Sequence, residues 1–147
     1  MRLVQDILNT KGNDIWSVDP EATIFSAIEI MSNKRIGALL VMQDAKPVGI
    51  VTERDYARKV ALEGRSSRDA KVHEIMSTRV LCVAPDRSIE DCMALMTDKR
   101  ARHLPVVDHK QVIGLISIGD LVKAVIAEQQ FVIDQLHDYI TGQSLHG

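Results

Sequence analysis

The chain repeats itself, and that constrains it more than any other feature. Residues 18–56 align without a gap on residues 83–121 at a constant offset of 65 positions. Identical pairs include Val18/Val83, Pro20/Pro85, Ile24/Ile89, Met31/Met96, Lys34/Lys99, Arg35/Arg100, Val41/Val106, Gly49/Gly114 and Asp55/Asp120. The lead-in repeats as well, Val4-Gln5-Asp6-Ile7 echoing Val72-His73-Glu74-Ile75 at an offset of 68, so the first copy carries three extra residues near Lys11–Asp14. Similarity of this length and register marks a duplication. Whatever one copy folds into, the other folds into too.

Each copy predicts the same element order. A short strand ends near Val18 or Val83, and the proline two residues later closes it. Ile24, Ala27, Ile28 and Met31, matched by Ile89, Cys92, Met93 and Met96, then recur at i, i+3, i+4 and i+7, which puts one apolar stripe on a helix. Thr23 and Ser88 stand where they can cap those helices. Two buried strands follow, Ala38–Met42 and Val48–Val51 in the first copy, Leu104–Val107 and Val112–Ile116 in the second. Polar turns join them at Asp44–Lys46 and Asp108–Gln111, and a second helix begins after Thr52 or Ser117.

The fold class is therefore α/β (α+β): two β-α-β-β-α units with a long C-terminal helix. A single unit buries too little apolar surface to stand alone, so the two are expected to pack sheet to sheet under pseudo-two-fold symmetry. The division reads as a first unit over 1–62, a polar linker over 63–71, a second unit over 72–126 and a helical extension and tail over 127–147. The extension carries Phe131, Val132, Ile133, Leu136, Tyr139 and Ile140, apolar residues that need cover, and a second copy of the chain is the economical source.

Composition narrows the function classes. A net charge of −2 gives no whole-chain attraction to nucleic acid or acidic membranes, so any basic patch must be local. No apolar run reaches the ~20 residues that span a bilayer, and no secretory leader is visible, so the expected location is cytoplasmic with no membrane partner. Cys82 and Cys92 sit on predicted apolar faces and read as buried hydrophobes, not as a disulfide or metal pair. His73, His109, His137 and His146 are scattered and read as surface residues, and Trp16 as a packing residue. There is no phosphate loop of the Walker type, no metal-ligand cluster and no nucleophile–base constellation, so an enzyme is not expected.

One pattern in each copy can carry chemistry: Gly49-x-x-Thr52-x-x-Asp55 and Gly114-x-x-Ser117-x-x-Asp120. A strand running into a helix presents free N–H groups to an anion. A hydroxyl there can donate to phosphate, and a carboxylate one turn on can accept both hydroxyls of a ribose. Glycine within a strand marks a close approach to the backbone. The same Thr/Ser-x-x-Asp spacing also fits a capping box, in which the two side chains only satisfy the first N–H groups of the helix. Local chemistry leaves both readings open.

The duplicated unit, the Leu104-Pro105-Val106-Val107-Asp108 segment and the doubled motif together resemble a pair of cystathionine β-synthase (CBS) domains, a Bateman module, over Val4 to about Ile126. The resemblance implies a non-catalytic regulatory module, a sensor or signal-transduction protein, that binds adenosine-containing nucleotides (AMP, ADP, ATP or NAD) in clefts between its units. It implies ribose contacts from Asp55 and Asp120, phosphate contacts from Thr52 and Ser117, and adenine packing near Ser17-Val18 and Cys82-Val83. Basic residues before Leu-Pro-Val-Val, here Arg102 and His103, are implied phosphate contacts. It also implies a homodimer and a separate downstream protein partner.

The copies differ in this respect. Gly37 and Ala38 stand where the second copy has Arg102 and His103, and Arg54 stands where it has Gly119, so two unequal clefts are expected. Lys99, Arg100, Arg102 and His103 also suit a solvated helix end. A structural dimer, a nucleic-acid binder using Lys99–His103 and a weak nucleotide hydrolase are the alternatives.

Overall fold

The computed structural model describes residues 2–141. The first half contains α1 (Val4–Lys11), β1 (Ser17–Val18), α2 (Ile24–Lys34), β2 (Ala38–Gln43), β3 (Lys46–Thr52) and α3 (Glu53–Tyr56). The second contains α4 (Ile89–Lys99), β4 (His103–Asp108), β5 (Gln111–Ser117) and α5 (Ile118–Ile140). A π-helical turn, Ala57–Ala61, extends α3, and one 3-10 turn, Val72–Glu74, opens the second half. No described helix is long and apolar enough to cross a membrane.

The duplication is visible atom by atom. Thr23 caps α2 by accepting from the Ser26 N–H at 3.2 Å, and Ser88 caps α4 by accepting from the Asp91 N–H at 3.1 Å. Both helices end on an arginine in the left-handed region, Arg35 at φ 56° and Arg100 at φ 55°. Both hairpins turn on two residues with positive φ, Asp44-Ala45 and His109-Lys110, the turn whose twist matches that of paired strands. Both also slip by one residue at the same place, Val41/Met42 and Val106/Val107.

One strand breaks the symmetry. β1 runs parallel to β2, pairing Ser17 with Leu40 and Val18 with Val41. Its counterpart shrinks to a single parallel bridge between Val83 and Val106. With so little strand there, Cys82 is exposed while Cys92 is fully buried in its helix face. The expectation that both cysteines are buried is thus corrected for Cys82: its neighbour Val83 points inward, so Cys82 points out.

The lead-ins are exchanged. The Val4 N–H donates to the Arg87 carbonyl and the Gln5 N–H to the Pro85 carbonyl, both at 2.9 Å. In mirror image, the Val72 N–H donates to the Ala22 carbonyl at 2.9 Å and the His73 N–H to the Pro20 carbonyl at 3.0 Å. Val4, Ile7 and Leu8 therefore complete the core of the second unit, with Ile89, Leu104 and Ile116. Val72 and Ile75 complete the core of the first, with Ile24, Leu39 and Val51. A smaller cluster of Ala38, Leu40 and Ile50 packs against Val80 and Val112 between the sheets. β2 is buried on both faces as a result.

The polar linker is held more closely than its composition predicts. The Ile24 N–H donates to the Ala70 carbonyl, the Phe25 N–H to the Ser67 carbonyl, and the Arg68 guanidinium lies 3.9 Å over the Phe25 ring. α5 is continuous from Ile118 to Ile140 and buries Leu121 and Ala124. Beyond them Phe131, Ile133, Leu136, Tyr139 and Ile140 are each more than half exposed.

Candidate functional site: two clefts between the units

Each motif folds as a helix cap. The Thr52 hydroxyl oxygen accepts from the Asp55 N–H at 3.0 Å, and the Thr52 N–H donates to Asp55 Oδ2 at 3.0 Å. Ser117 accepts from the Asp120 N–H at 3.1 Å, and its own N–H donates to Asp120 Oδ2 at 2.8 Å. The capping box is therefore formed in both copies. The Thr52 hydroxyl also donates to Asp55 Oδ2 at 3.0 Å, so Asp55 accepts two bonds from its cap and Asp120 one, and neither exhausts the roughly four acceptor positions of an ionised carboxylate.

The two carboxylates differ in their counter-ions. Lys59, one turn on in the same helix, lies 3.4 Å from Asp55 Oδ1. Asp120 instead receives a lysine from the other end of the chain: Lys11 Nζ donates to Asp120 Oδ2 at 2.8 Å and to the Leu115 carbonyl at 2.9 Å. Burial alone would raise the Asp120 carboxyl, but the Lys11 hydrogen bond, the Ser117 N–H and the Lys11 charge outweigh it and hold the pKa below the usual carboxylate value. Burial pushes the neighbouring His103 imidazole below its ordinary value; Asp120 opposes this while Lys11 and Arg102 reinforce it.

Each motif lines a cleft walled by both units. Ser117 and Asp120 share a cleft of about 410 Å³ with Lys11, Trp16, Arg35 and Gly37. Thr52 and Asp55 share a wider one of about 1020 Å³ with Arg54, Arg79, Arg100 and Arg102. His103 and Gly37 line both. Volumes of this order suit a small organic ligand. The two helix-ending arginines in left-handed backbone, Arg35 and Arg100, thus stand one in each cleft.

Several sequence expectations change here. Val18 and Val83 are core residues, 8% and 5% exposed, and the cleft-lining residues of their segments are Trp16 and Leu81. Trp16 is 39% exposed with Lys34 Nζ 4.2 Å from its ring centroid, so it is a cleft wall and not a packing residue. His73, His109 and His137 are exposed as expected, and His146 lies outside the described residues.

The expectation that Gly49 and Gly114 admit a ligand is also revised. A Cβ on Gly49 would lie 2.7 Å from Met76 Sδ and 2.9 Å from the Ser77 carbonyl. One on Gly114 would lie 2.6 Å from Leu8 Cδ2. Leu8 and Met76 are equivalent residues of the two exchanged lead-ins, so the close approach is made by the chain itself. Lys11, Arg35, Arg58, Arg79 and Arg100 are cleft residues that the motif did not mark. For Arg35 and Arg100 a signal was present, since they are an identical pair in the repeat.

Two exchanged β-α-β-β-α units with a Thr/Ser–Asp cap on each shared cleft define a tandem-repeat α/β module. A family model for the CBS domain matches the chain twice, over residues 4–62 and 72–127. The chain belongs to the CBS domain family. It is 37% identical over 149 residues to the mitochondrial CBS domain-containing protein CBSX3 of Arabidopsis thaliana, covering 95% of this chain and 72% of the other. Among solved structures, a protein with CBS domains from Burkholderia ambifaria assigned to signal transduction is 53% identical, with a TM-score of 0.84 over 87% of this chain and 96% of that one. The CBS domain pair of the protein MJ0100, in complex with 5′-methylthioadenosine and S-adenosyl-L-methionine, is 25% identical, with a TM-score of 0.74 over 84% of this chain and 99% of that one.

Proposed function

We propose that this CBS pair is a non-catalytic regulatory module that binds adenosine-containing nucleotides in its two inter-unit clefts. The observation that carries this reading is the placement of both motif carboxylates, Asp55 and Asp120, on cleft walls built from both units. In each cleft the carboxylate takes the ribose hydroxyls, and Thr52 or Ser117 stands beside it for a phosphate. Arg54 and Arg102 add cations on one side, and His103 serves either cleft. The adenosyl ligands of the MJ0100 pair support the ligand class. A ligand bridging the units shifts their arrangement only as far as it binds one arrangement better than another. The uncovered apolar stretch of α5, Phe131 to Ile140, supports a homodimer as the unit that responds.

The test is calorimetric titration of AMP, ATP and NAD into the wild-type chain and into Asp55→Ala and Asp120→Ala. Each substitution is expected to abolish one of two binding events or to weaken it by roughly 1.5–3 kcal/mol, the worth of hydrogen bonds to a charged group. If both variants bind normally and lose only melting temperature, Asp55 and Asp120 are caps and nothing more. Product analysis after incubation tests the hydrolase alternative, and native mass spectrometry reports subunit number and any retained nucleotide together.

A further inference from the structure

The two clefts carry very different charge. Arg54, Arg58, Arg79, Arg100 and Arg102, half of the arginines in the chain, line the Thr52–Asp55 cleft, where the acidic residues are Glu53 and Asp55. The chain as a whole carries −2. Among the described residues none of these five arginines has a carboxylate within ion-pair distance; the arginines that do are Arg65 and Arg87, elsewhere on the surface. Of the two acids, Asp55 is paired to Lys59 instead. Unpaired guanidinium groups gathered in one cleft repel one another, a cost that a polyanion seated between them removes. The guanidinium fork also matches two phosphate oxygens at once, which a lysine cannot do.

The opposite cleft is the internal control. The repeat places Gly119 where the first cleft has Arg54 and Gly37 where it has Arg102. Lys11, the equivalent of Arg79 in the lead-ins, is consumed by Asp120 and the Leu115 carbonyl. Its remaining charges, Arg35 against Asp14, nearly cancel. The arginine cleft is also the wider, about 1020 Å³ against about 410 Å³, and its wall includes Ile50, Leu81 and Met96 as an apolar surface for a flat ring. The five arginines come from three segments: α3 and its π-helical extension, the stretch after the 3-10 turn, and the turn between α4 and β4.

We propose that the Thr52–Asp55 cleft is a polyphosphate site, built for a nucleoside di- or triphosphate held chiefly by its phosphate chain, and that the Ser117–Asp120 cleft takes a ligand with one phosphate or none. The nucleoside half of this assignment rests on the function proposed above; the polyphosphate half rests on the arginines.

The experiment titrates adenosine, AMP, ADP, ATP, inorganic tripolyphosphate and oligo(rA) into the full chain and into Arg54→Ala/Arg102→Ala. Both arginines are exposed, so the double variant is expected to keep its fold by circular dichroism. The expected result is a gain of at least tenfold in affinity from AMP to ATP, competition by tripolyphosphate, and a loss of at least tenfold for ATP in the variant. A gain-of-function variant keeps the test decisive should the double variant unfold. In Gly119→Arg the new Cβ meets nothing closer than Ser117 Oγ at 3.6 Å, and the second cleft is expected to gain ATP over AMP. Equal affinity for AMP and ATP in the wild type overturns the proposal and leaves the adenosine reading standing. Tripolyphosphate binding lost in the double variant, with no adenosine or AMP bound at all, overturns the nucleoside reading and keeps the anion site. Oligo(rA) bound more tightly than ATP, through the same arginines, overturns the proposal in favour of a nucleic-acid surface.

Discussion

The hairpins and the cleft rims of the two units diverge to very different degrees. β2–β3 and β4–β5 share register, turn geometry and the position of their one-residue slip. The rims beside them keep the Thr/Ser–Asp cap and one arginine each, Arg35 and Arg100, and otherwise diverge: four more arginines face the Thr52–Asp55 cleft, while glycines and a lysine tied to Asp120 face the other. Backbone hydrogen bonds and a close-packed aliphatic core tolerate little change, whereas an exposed rim position costs little to alter. A duplicated scaffold can therefore keep one architecture and offer two chemistries. The lead-ins lie between these extremes, with equivalent contacts made by different residues, Leu8 and Met76.

The largest effects test the exchange of lead-ins. Leu8 is 1% exposed in the second unit's core, so Leu8→Ala is expected to cost about 2–5 kcal/mol, in the range for a buried leucine. Amide hydrogen exchange should then rise first in β4 and β5, far along the chain from the substitution. Ile75→Ala, at 1% exposure in the first unit's core, should loosen β2 and β3 instead. Loosening of the lead-in's own unit in either variant would break the exchanged arrangement.

Next come the glycines beneath the lead-ins. Gly49→Ala meets a backbone carbonyl at 2.9 Å as well as Met76, while Gly114→Ala meets only the end of the Leu8 side chain. Overpacking of this kind costs roughly 1–3 kcal/mol. Gly49→Ala should lie toward the upper end and Gly114→Ala toward the lower, as read by chemical denaturation. An equal cost would sharpen the picture by showing that Leu8 has no room to move.

A smaller effect reads the Asp120 carboxyl through pH. The Asp120 carboxyl is held below its unfolded value, so its contribution to stability is complete above that unfolded value and is lost as pH falls through the folded one. Lys11→Met removes the nearest cation, so the Asp120 carboxyl carbon should titrate at higher pH by NMR and acid unfolding should begin earlier. An unchanged titration would mean that Lys11 does not hold Asp120 in solution. The smallest effect is optical: a ligand entering the Ser117–Asp120 cleft should alter Trp16 fluorescence, whereas one confined to the arginine cleft should leave it nearly unchanged.

Much of the fold was legible because periodicity and duplication are local signals. The stripes through Ile24 and Ile89 became α2 and α4, Thr23 and Ser88 became their caps, and the polar turns became two-residue hairpin loops. Cys82 and Trp16 depart from the sequence pattern because both lie in short segments with few pairing bonds, where residue type says little about which way a side chain points. Of the clefts, the motif residues, the basic stretch near Arg102 and the identical pair Arg35/Arg100 left a signal in the sequence. Lys11 and Arg79 left none, because nothing local to them specifies a carboxylate or a cleft far along the chain.

The duplicated unit, its element order, the doubled Thr/Ser–Asp motif and the inequality of the copies are all written in the residue order. All of these depend on spacing along the chain or on residue identity at equivalent positions. That each lead-in completes the other unit's core, that Gly49 and Gly114 make room for it, and that five arginines line one cleft emerge from the folded chain alone. Those are matters of which distant segments meet, and a repeat leaves that choice open: a lead-in fits its own unit's pattern as well as its twin's. Packing resolved it, by burying Leu8 and Ile75 in opposite cores.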